Sequence, residues 1–464
     1  MIKINFFNPS RILVAYIALK IGFFAAMLSV NEYVVPDEGT YAQSICIFNQ
    51  NLVSPTDFRR YVSWGPLFLL QSQFFNVLGV DCLTSVRLSS LIFSIGSGCI
   101  FFLIVKHFYK PLRKNWYSLN SPSLIFAFYL FIPSKFLWTS IGIRESSIEF
   151  LILVAVFSIF KFFNAATPRE NTTFLALLIL SLTFLALTRW MLFLCLTVSI
   201  IFYAIFNCSV TKHRILLGIT LFVILVNQFL PSALVKANYM YFKSQISENI
   251  EVLEMEIRLE KKKNVNNKQR VQSVEKAKAL EDAIINLTKK LQTEELFSQS
   301  LSIMPYSIPD PEVARNVRTI EARSQIYTAE CTGGDMKQLS FLMCNISHLP
   351  IGLYSILLRP NPIQDWYSLS TRIASIENFL FLIFMLWFGY LVYNYRVTRA
   401  RFAEALLPLI FLVFAFVGLA LFEGNVGTGF RHRSMAFWAL CLCALILIRA
   451  REKHQLKVAT SSSA

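Results

Sequence analysis

Residues 173–207 read TFLALLILSLTFLALTRWMLFLCLTVSIIFYAIFN, and Arg189 is the only charged side chain among them. An apolar run of about twenty residues is long enough to cross the hydrocarbon core of a bilayer. The stretch has room for two such runs, with only Arg189 and Trp190 between them. Because no exposed loop fits there, we expect the junction to lie below the outer membrane surface, in a cavity.

The composition of the whole chain agrees with this stretch. The chain has 464 residues, of which 55% are hydrophobic and 16% charged, and its mean hydropathy is +0.52. A soluble protein of this length needs more polar surface, so we predict an all-α polytopic membrane protein with about ten transmembrane helices. The net charge of +16 is then explained mainly by cytoplasmic Lys and Arg residues, without any nucleic acid.

The apolar runs and basic clusters predict a topology. The predicted spans are residues 11–30, 86–108, 123–138, 146–163, 173–188, 190–207, 215–230, 376–393, 403–422 and 435–448. With both termini in the cytoplasm, nearly every short basic cluster lies inside, as the positive-inside rule expects. Residues 341–358 are predicted to be interfacial or re-entrant on the outer face. Pro350, with Pro360 and Pro362 just beyond this segment, fits a broken helix.

Three modules follow from this topology. They are an N-terminal transmembrane module (1–231), an outer insertion (232–339), and an interfacial segment with a C-terminal transmembrane module (340–464). Two apolar stripes in the insertion recur at steps of three and four residues, at Ile246, Ile250, Leu253, Ile257 and at Ala277, Leu280, Ile284, Leu287, Leu291. This spacing, with a turn composition at 264–267, predicts an antiparallel coiled-coil hairpin that contacts a protein partner or a long substrate.

The first outer loop, residues 31–85, opens with two adjacent acids, Asp37 and Glu38. Residues 39–49 are predicted to form a short helix, and residues 66–80 an interfacial helix that is too short to span. Cys46 and Cys82 either pair in an oxidising compartment or remain two free thiols. A second candidate pair is Cys331 and Cys344.

Cationic residues gather on the same predicted face. The last outer loop, 424–433, combines three glycines with Arg431, His432 and Arg433. This pattern predicts a phosphate cradle, because Arg forms bidentate, charge-assisted bonds to phosphate. The alternative is anchoring to lipid headgroups. Further candidate substrate-binding residues are Arg144, Glu145, Arg189 and Arg359.

Three of these candidate residues, Arg144, Glu145 and Arg189, also have a purely structural interpretation. Arg189 can snorkel to headgroups, and Arg144 and Glu145 can simply pair with each other. Lys135 lies in the same outer turn as Arg144. Lys20, in the middle of the first span, is costly in lipid and is expected to face the bundle interior, in a structural or a catalytic role.

A carboxylate base beside several phosphate-binding cations suits the transfer of a group from a lipid phosphate. The base would take a proton from an acceptor hydroxyl, and the cations would stabilise the departing phosphate. The sequence contains no Gly-rich phosphate loop, no paired Cys-x-x-Cys and no His-Glu-x-x-His motif. No metal site is therefore assigned, and a divalent cation is left as an open alternative.

Residues 36–42, PDEGTYA, resemble the acidic first-loop motif of the GT-C glycosyltransferase superfamily. The resemblance extends in layout over about residues 1–231. It implies a polyprenyl-phosphate-linked sugar donor and inversion at the anomeric carbon. It also implies that Asp37 is the catalytic base and that Glu38 is a supporting group that binds the acceptor or a metal. Residues 424–433 and 349–360 resemble bacterial membrane proteins of surface polysaccharide assembly.

The leading hypothesis, which rests on these resemblances, is a multi-pass glycosyltransferase of the bacterial inner (plasma) membrane that acts on the outer face and serves surface glycan synthesis. It would move a sugar from the polyprenyl-linked donor to a hydroxyl of a glycan or lipid-linked acceptor, among membrane lipids. A second hypothesis is an O-antigen or exopolysaccharide polymerase or ligase acting on polyprenyl-diphosphate oligosaccharides, with Asp37 dispensable. A third is a flippase for lipid-linked glycans, although no convincing internal repeat is present.

Overall fold

The computed structural model describes residues 8–30, 32–48, 53–54, 57–58, 61–62, 65–108, 122–206, 211–262, 267–300, 339–361, 369–394, 399–422 and 426–461. Within these ranges all regular secondary structure is α-helical, which confirms the predicted fold class. By length and composition, 7 of the described helices are able to cross a membrane. The predicted partner Cys331 lies outside the described residues, as does the side chain of Cys344.

Helices account for nearly all of the described chain. The N-terminal ones are α1 (Pro9–Leu28), α2 (Pro36–Phe48), α3 (Pro66–Val77), α4 (Cys82–Phe108), α5 (Pro122–Phe131), α6 (Pro133–Trp138), α7 (Glu145–Asn164), α8 (Pro168–Thr188) and α9 (Trp190–Phe206). The later ones are α10 (Thr211–Lys262), α11 (Asn267–Ser300), α12 (Leu339–Leu358), α13 (Leu369–Asn394), α14 (Arg399–Phe422), α15 (Val426–Ser434) and α16 (Phe437–Ser461).

Every predicted span lies largely on one or two of these helices, but three of the spans contain an apolar helical stretch of only 10–17 residues. These stretches are Pro122–Phe131, Trp190–Phe206 and, within α14, Ala405–Leu421; a fourth one, Leu349–Leu358, lies in α12. The predicted span at 123–138 is divided into α5 and α6, because Ile132 has extended backbone dihedrals and Pro133 begins a new helix. Proline has no N–H to continue a helix and disfavours helical dihedrals in the residue before it.

α12 continues through Pro350, so a break there is wrong, and the helix ends at Leu358, two residues before Pro360. Proline inside a helix removes one backbone hydrogen bond and usually bends the helix without ending it. α12 packs closely on α14: a Cβ added at Gly352 would lie 2.5 Å from the carbonyl oxygen of Ala420. Whether α12 is interfacial or re-entrant stays a prediction.

The helices α10 and α11 pack against each other and are joined by residues 263–266, so they form a helical hairpin. Ile246 and Ile257 on the predicted stripe of α10 are buried. α10 is a single helix of 52 residues that crosses the predicted boundary at residue 231 without interruption. Its coiled-coil character and its partner stay predictions.

Two apolar clusters hold the fold together. The larger one fills the helical bundle and includes α5, α7, α9, α14 and α16. The smaller one packs α2 and α3 on α4, with Tyr41, Ile45 and Phe68 at its centre. A disulfide between Cys46 and Cys82 joins α2 to α4, which settles one of the two alternatives left by the sequence. This smaller cluster positions the N-terminus of α2.

Candidate functional site

The first turn of α2 carries both acids of the first outer loop. α2 begins at Pro36, so Asp37 and Glu38 lie inside the helix, whereas the sequence predicted a helix only from residue 39. Proline is favoured at the first helical position and acids are favoured in the first turn. Successive residues of a helix point about 100° apart, so the two carboxylates face different surroundings.

The Glu38 carboxylate is fully buried and has a partner on each oxygen. Arg87 donates from Nε to Oε1 at 2.8 Å and from Nη2 to Oε2 at 3.3 Å. The backbone N–H groups of Gly142 and Val34 donate to Oε1 and Oε2, at 3.1 and 2.8 Å. Because these contacts already occupy Glu38, the predicted role in binding an acceptor or a metal does not fit its surroundings.

Arg87, which was not among the predicted site residues, holds the start of α2 in place. Besides Glu38, its guanidinium donates to the backbone carbonyls of Met27, Val30 and Glu32 at 2.6 to 2.9 Å. It thereby ties the end of α1 and the following turn to the start of α2. Buried charged groups are paired or hydrogen-bonded in proteins, so the position of Arg87 one residue inside a predicted span is the signal that could have shown its role.

Asp37 faces the other way and meets the C-terminal module. Arg431 Nη1 donates to Asp37 Oδ2 at 2.8 Å, between residues 394 positions apart. The Asp37 side chain is 47% exposed, whereas that of Arg431 is 15% exposed. Arg431 Nε also lies 3.2 Å from Glu145 Oε1, and its guanidinium carbon lies 5.7 Å from the centre of the Trp138 ring. Arg431 thus bridges two carboxylates.

His432, the residue after Arg431, makes a second long-range contact. Arg189 Nη2 contacts His432 Nε2, and both side chains are at least partly buried. Arg189 is the non-helical residue between α8 and α9, so the predicted junction without a loop is present. The neighbouring residues Arg431 and His432 therefore bring α2, α7 and the α8–α9 junction to one place.

Tyr41 lies among the same charges. It is 5% exposed and feels the electrostatic influence of Arg144, Glu145, Asp37 and Arg189. Burial raises the pKa of Tyr41 to about 12, and the positive charge of Arg144 opposes that rise. Its hydroxyl is therefore neutral at ordinary pH. The structure brings together six of the predicted site residues around α2: Asp37, Arg144, Glu145, Arg189, Arg431 and His432.

Arg433 lies outside this group, in contrast to the sequence prediction. It is fully buried, and its Nη1 donates to the carbonyl oxygens of Ile356 and Leu357 at 3.1 and 3.0 Å. Its Nη2 donates to Asn378 Oδ1. Arg433 thus satisfies the end of α12, where carbonyl groups lack helical partners. Arg359 directly follows α12 and adjoins this anchor.

The arrangement has the parts for acid–base chemistry on a phosphorylated substrate. Asp37 offers a partly exposed carboxylate, and Arg431 offers a guanidinium with five N–H donors. Among the described residues, no group of three or more His, Cys, Asp or Glu side chains is arranged to hold a metal ion. The divalent cation stays an open alternative.

Comparison with known proteins adds little to this geometry. No family model matches the chain, and no curated protein matches it. The chain is similar to the crystal structure of ArnT from Cupriavidus metallidurans bound to undecaprenyl phosphate, with 11% identity and a TM-score of 0.37. The similarity covers 94% of this chain and 77% of that chain. A likeness this distant assigns no activity.

Proposed function

We propose that the chain is a membrane glycosyltransferase of surface glycan synthesis. It moves a sugar from a polyprenyl-phosphate-linked donor to an acceptor hydroxyl on the outer face of the bacterial inner membrane. The observation that carries the proposal is the pair between Asp37 and Arg431, with a half-exposed carboxylate 2.8 Å from a mostly buried cation. A base and a phosphate ligand are the two groups that this transfer requires at one place.

The proposed step uses Asp37 as the general base. Asp37 accepts the proton of the acceptor hydroxyl while that oxygen attacks the anomeric carbon of the donor sugar. The bond from this carbon to the phosphate oxygen breaks, and the lipid phosphate leaves with the electron pair. Attack from the side opposite the leaving group inverts the anomeric centre. Arg431 stabilises the negative charge that develops on the phosphate, and Arg189 with His432 assists it.

Two predicted site residues receive different roles in this proposal. Glu38 holds the first turn of α2 in place through Arg87, and in this way it aims Asp37. Arg433 anchors α15 to α12 and α13, and in this way it aims Arg431. Neither residue touches the substrate, because both side chains are buried and already bonded within the protein.

The test is the substitution Asp37→Asn in the full chain, assayed in membranes with radiolabelled sugar on undecaprenyl phosphate. Loss of a general base is expected to lower turnover on the order of 10²- to 10⁴-fold. The matched control is Asp282→Asn on the exposed surface of α11, which should transfer like the wild type. Normal turnover by a folded Asp37→Asn variant would refute the proposal.

Two further assays distinguish the competing functions: product length in two variants, and movement of labelled lipid across vesicles. A polymerase with Asp37 dispensable would lose product length in His432→Ala and keep it in Asp37→Asn. A flippase would move labelled lipid across vesicles without forming a glycosidic bond. Either result would replace the transferase proposal.

A further inference from the structure

The six-residue helix α6 lies next to the candidate site and is held by buried charges. It ends at Trp138, whose ring faces Arg431. Only residues 139–143 separate it from Arg144 and Glu145. Any shift of α6 would therefore change the surroundings of Arg431 and the place of Glu145.

The first anchor comes from α13 and binds the N-terminus of α6. Glu377 Oε2 accepts from the backbone N–H of Ser134 at 2.5 Å, and Oε1 accepts from the Ser134 hydroxyl at 2.6 Å. Both residues are buried. The first N–H groups of a helix have no helical partner, so Glu377 satisfies a group that would otherwise lack one.

The second anchor comes from α1 and binds the C-terminal end of α6. Lys20 Nζ donates to the carbonyl oxygen of Phe136 at 2.7 Å, to the Thr139 hydroxyl at 2.7 Å and to the Ser140 hydroxyl at 2.6 Å. Lys20 is fully buried. It faces the bundle interior as the sequence predicted.

The third anchor comes from α7 and binds the middle of α6. Lys135 Nζ lies 3.2 Å from Glu149 Oε1, and both residues are buried. The Tyr129 hydroxyl donates to the same Glu149 oxygen at 2.6 Å. The short helix is thus held from α1, α7 and α13 by one buried charged group from each.

Buried charges are a costly way to hold a helix. Well-packed apolar residues often stabilise a site as well as a buried ion pair does, and removing one partner of a pair is strongly destabilising. Charged groups do, however, impose direction, because hydrogen bonds weaken steeply when their angles change. The hydrogen bonds of Glu377 and Lys20 therefore fix the orientation of α6 at its two ends, and the ion pair of Lys135 with Glu149 adds a charged contact in the middle.

We propose that Glu377 is a positioning residue for the glycosyl-transfer site. It acts through α6, whose other end is held by Lys20. The position of α6 sets the place of Trp138 and, through residues 139–143, of Glu145 relative to Arg431. This inference rests on the proposed function. Glu377 belongs to the C-terminal module and Ser134 to the N-terminal one, so the contact also couples the two modules at the site.

The test compares Glu377→Leu, Glu377→Gln and Ser134→Ala in the full chain. Glu377→Leu removes both bonds to Ser134 and is expected to lower kcat on the order of tenfold to 100-fold, because small displacements of reacting groups are costly. The KM for the undecaprenyl-phosphate donor should change little. Glu377→Gln keeps a polar group of the same shape and should restore most of the activity.

A spectroscopic measurement separates positioning from simple loss of fold. The chain contains seven tryptophans, and 5-fluorotryptophan labelling with Trp138→Phe identifies the fluorine signal of Trp138. This signal should shift or broaden in Glu377→Leu and Ser134→Ala. It should stay unchanged in the control Ser97→Ala, because that buried hydroxyl donates only to Phe93 within α4.

The outcomes are distinct. An unchanged Trp138 signal in Glu377→Leu, or a changed signal with normal kcat, would overturn the positioning role. If Glu377→Leu does not fold, the Trp138 fluorine signal and the kcat of Ser134→Ala test the positioning role instead. If Asp37→Asn keeps full activity, the proposed function fails, while the fluorine signal still reports whether Glu377 places α6.

Discussion

Two neighbouring carboxylates, Asp37 and Glu38, are each paired with an arginine from a distant part of the chain. The Glu38–Arg87 pair and the Asp37–Arg431 pair have the same closest separation of 2.8 Å. The first pair is closed to solvent on both sides, whereas the Asp37 side chain is 47% exposed. Burial, and not pairing itself, therefore distinguishes the structural pair from the candidate catalytic one.

The difference has a physical cause. Removing one partner from a buried pair leaves an uncompensated charge, so the pair behaves as part of the core. A half-exposed carboxylate keeps contact with water and can exchange its partner for a substrate at low cost. The Glu38–Arg87 pair is thus suited to hold the chain, and the Asp37–Arg431 pair is suited to react.

The largest expected effect is on the closed pair. Arg87→Leu should lower the free energy of unfolding by about 3–5 kcal/mol, because Glu38 would remain buried without its cation. Thermal unfolding of the detergent-solubilised protein measures this change. The control is Arg258→Leu, which removes an exposed pair with Glu254 on α10 and should cost within about 0.5 kcal/mol. Equal effects of the two substitutions would contradict the structural role of Arg87.

Substitution in the half-exposed Asp37–Arg431 pair should lower turnover more than stability. Arg431→Lys keeps the positive charge and loses the planar fork of donors, so one charged hydrogen bond is weakened or lost. Turnover should fall about tenfold to 100-fold, as expected for one such bond, with little change in unfolding temperature. The assay is sugar transfer in membranes, and unfolding is followed on the same preparation. If Arg431→Lys lowered the unfolding temperature and left the turnover of the folded protein unchanged, the Asp37–Arg431 pair would be structural and not catalytic.

The smallest expected effect is on stability, at Gly142 beside the buried Glu38–Arg87 pair. A Cβ at Gly142 would lie 2.7 Å from Val86 Cγ2 and 3.0 Å from Glu38 Oε1. Gly142→Ala should therefore cost about 1–3 kcal/mol of stability through overpacking at the closed pair. Gly218→Ala on α10 is the control, because no atom lies within 4 Å of its added Cβ. Matching thermal stabilities for these two variants would show that the Glu38 surroundings can relax.

Much of the fold was predictable because it depends on local pattern. Apolar runs predicted the long helices, and the steps of three and four residues predicted the helical hairpin of α10 and α11, in which Ile246 and Ile257 are buried. The division at Ile132-Pro133 was missed, since the hydropathy of residues 123–138 hides a helix boundary that proline sets locally. The predicted break at Pro350 was wrong, because a proline in an otherwise apolar helix need not end it.

The sequence predicted most of the residues of the candidate site, but only some of the contacts between them. Asp37 and Arg431 were singled out because they are charged residues on the predicted outer face, and the structure brings them into contact. Arg433 looked equivalent to Arg431 in the sequence, yet it anchors α12. Arg87 was missed because, at the end of a predicted span, it resembles an ordinary residue at the membrane surface.

The sequence by itself determined an all-helical membrane protein, the position of most helices and the two charge-bearing stretches, because helix length and hydropathy depend on neighbouring residues. Only the tertiary structure decided which of two adjacent acids is closed and which is open. That choice depends on partners 49 and 394 positions away and on the burial that they create. A buried carboxylate must exchange its bound water for hydrogen bonds within the protein, whereas an exposed one stays accessible to a substrate. Tertiary packing determines which of the two acids is buried.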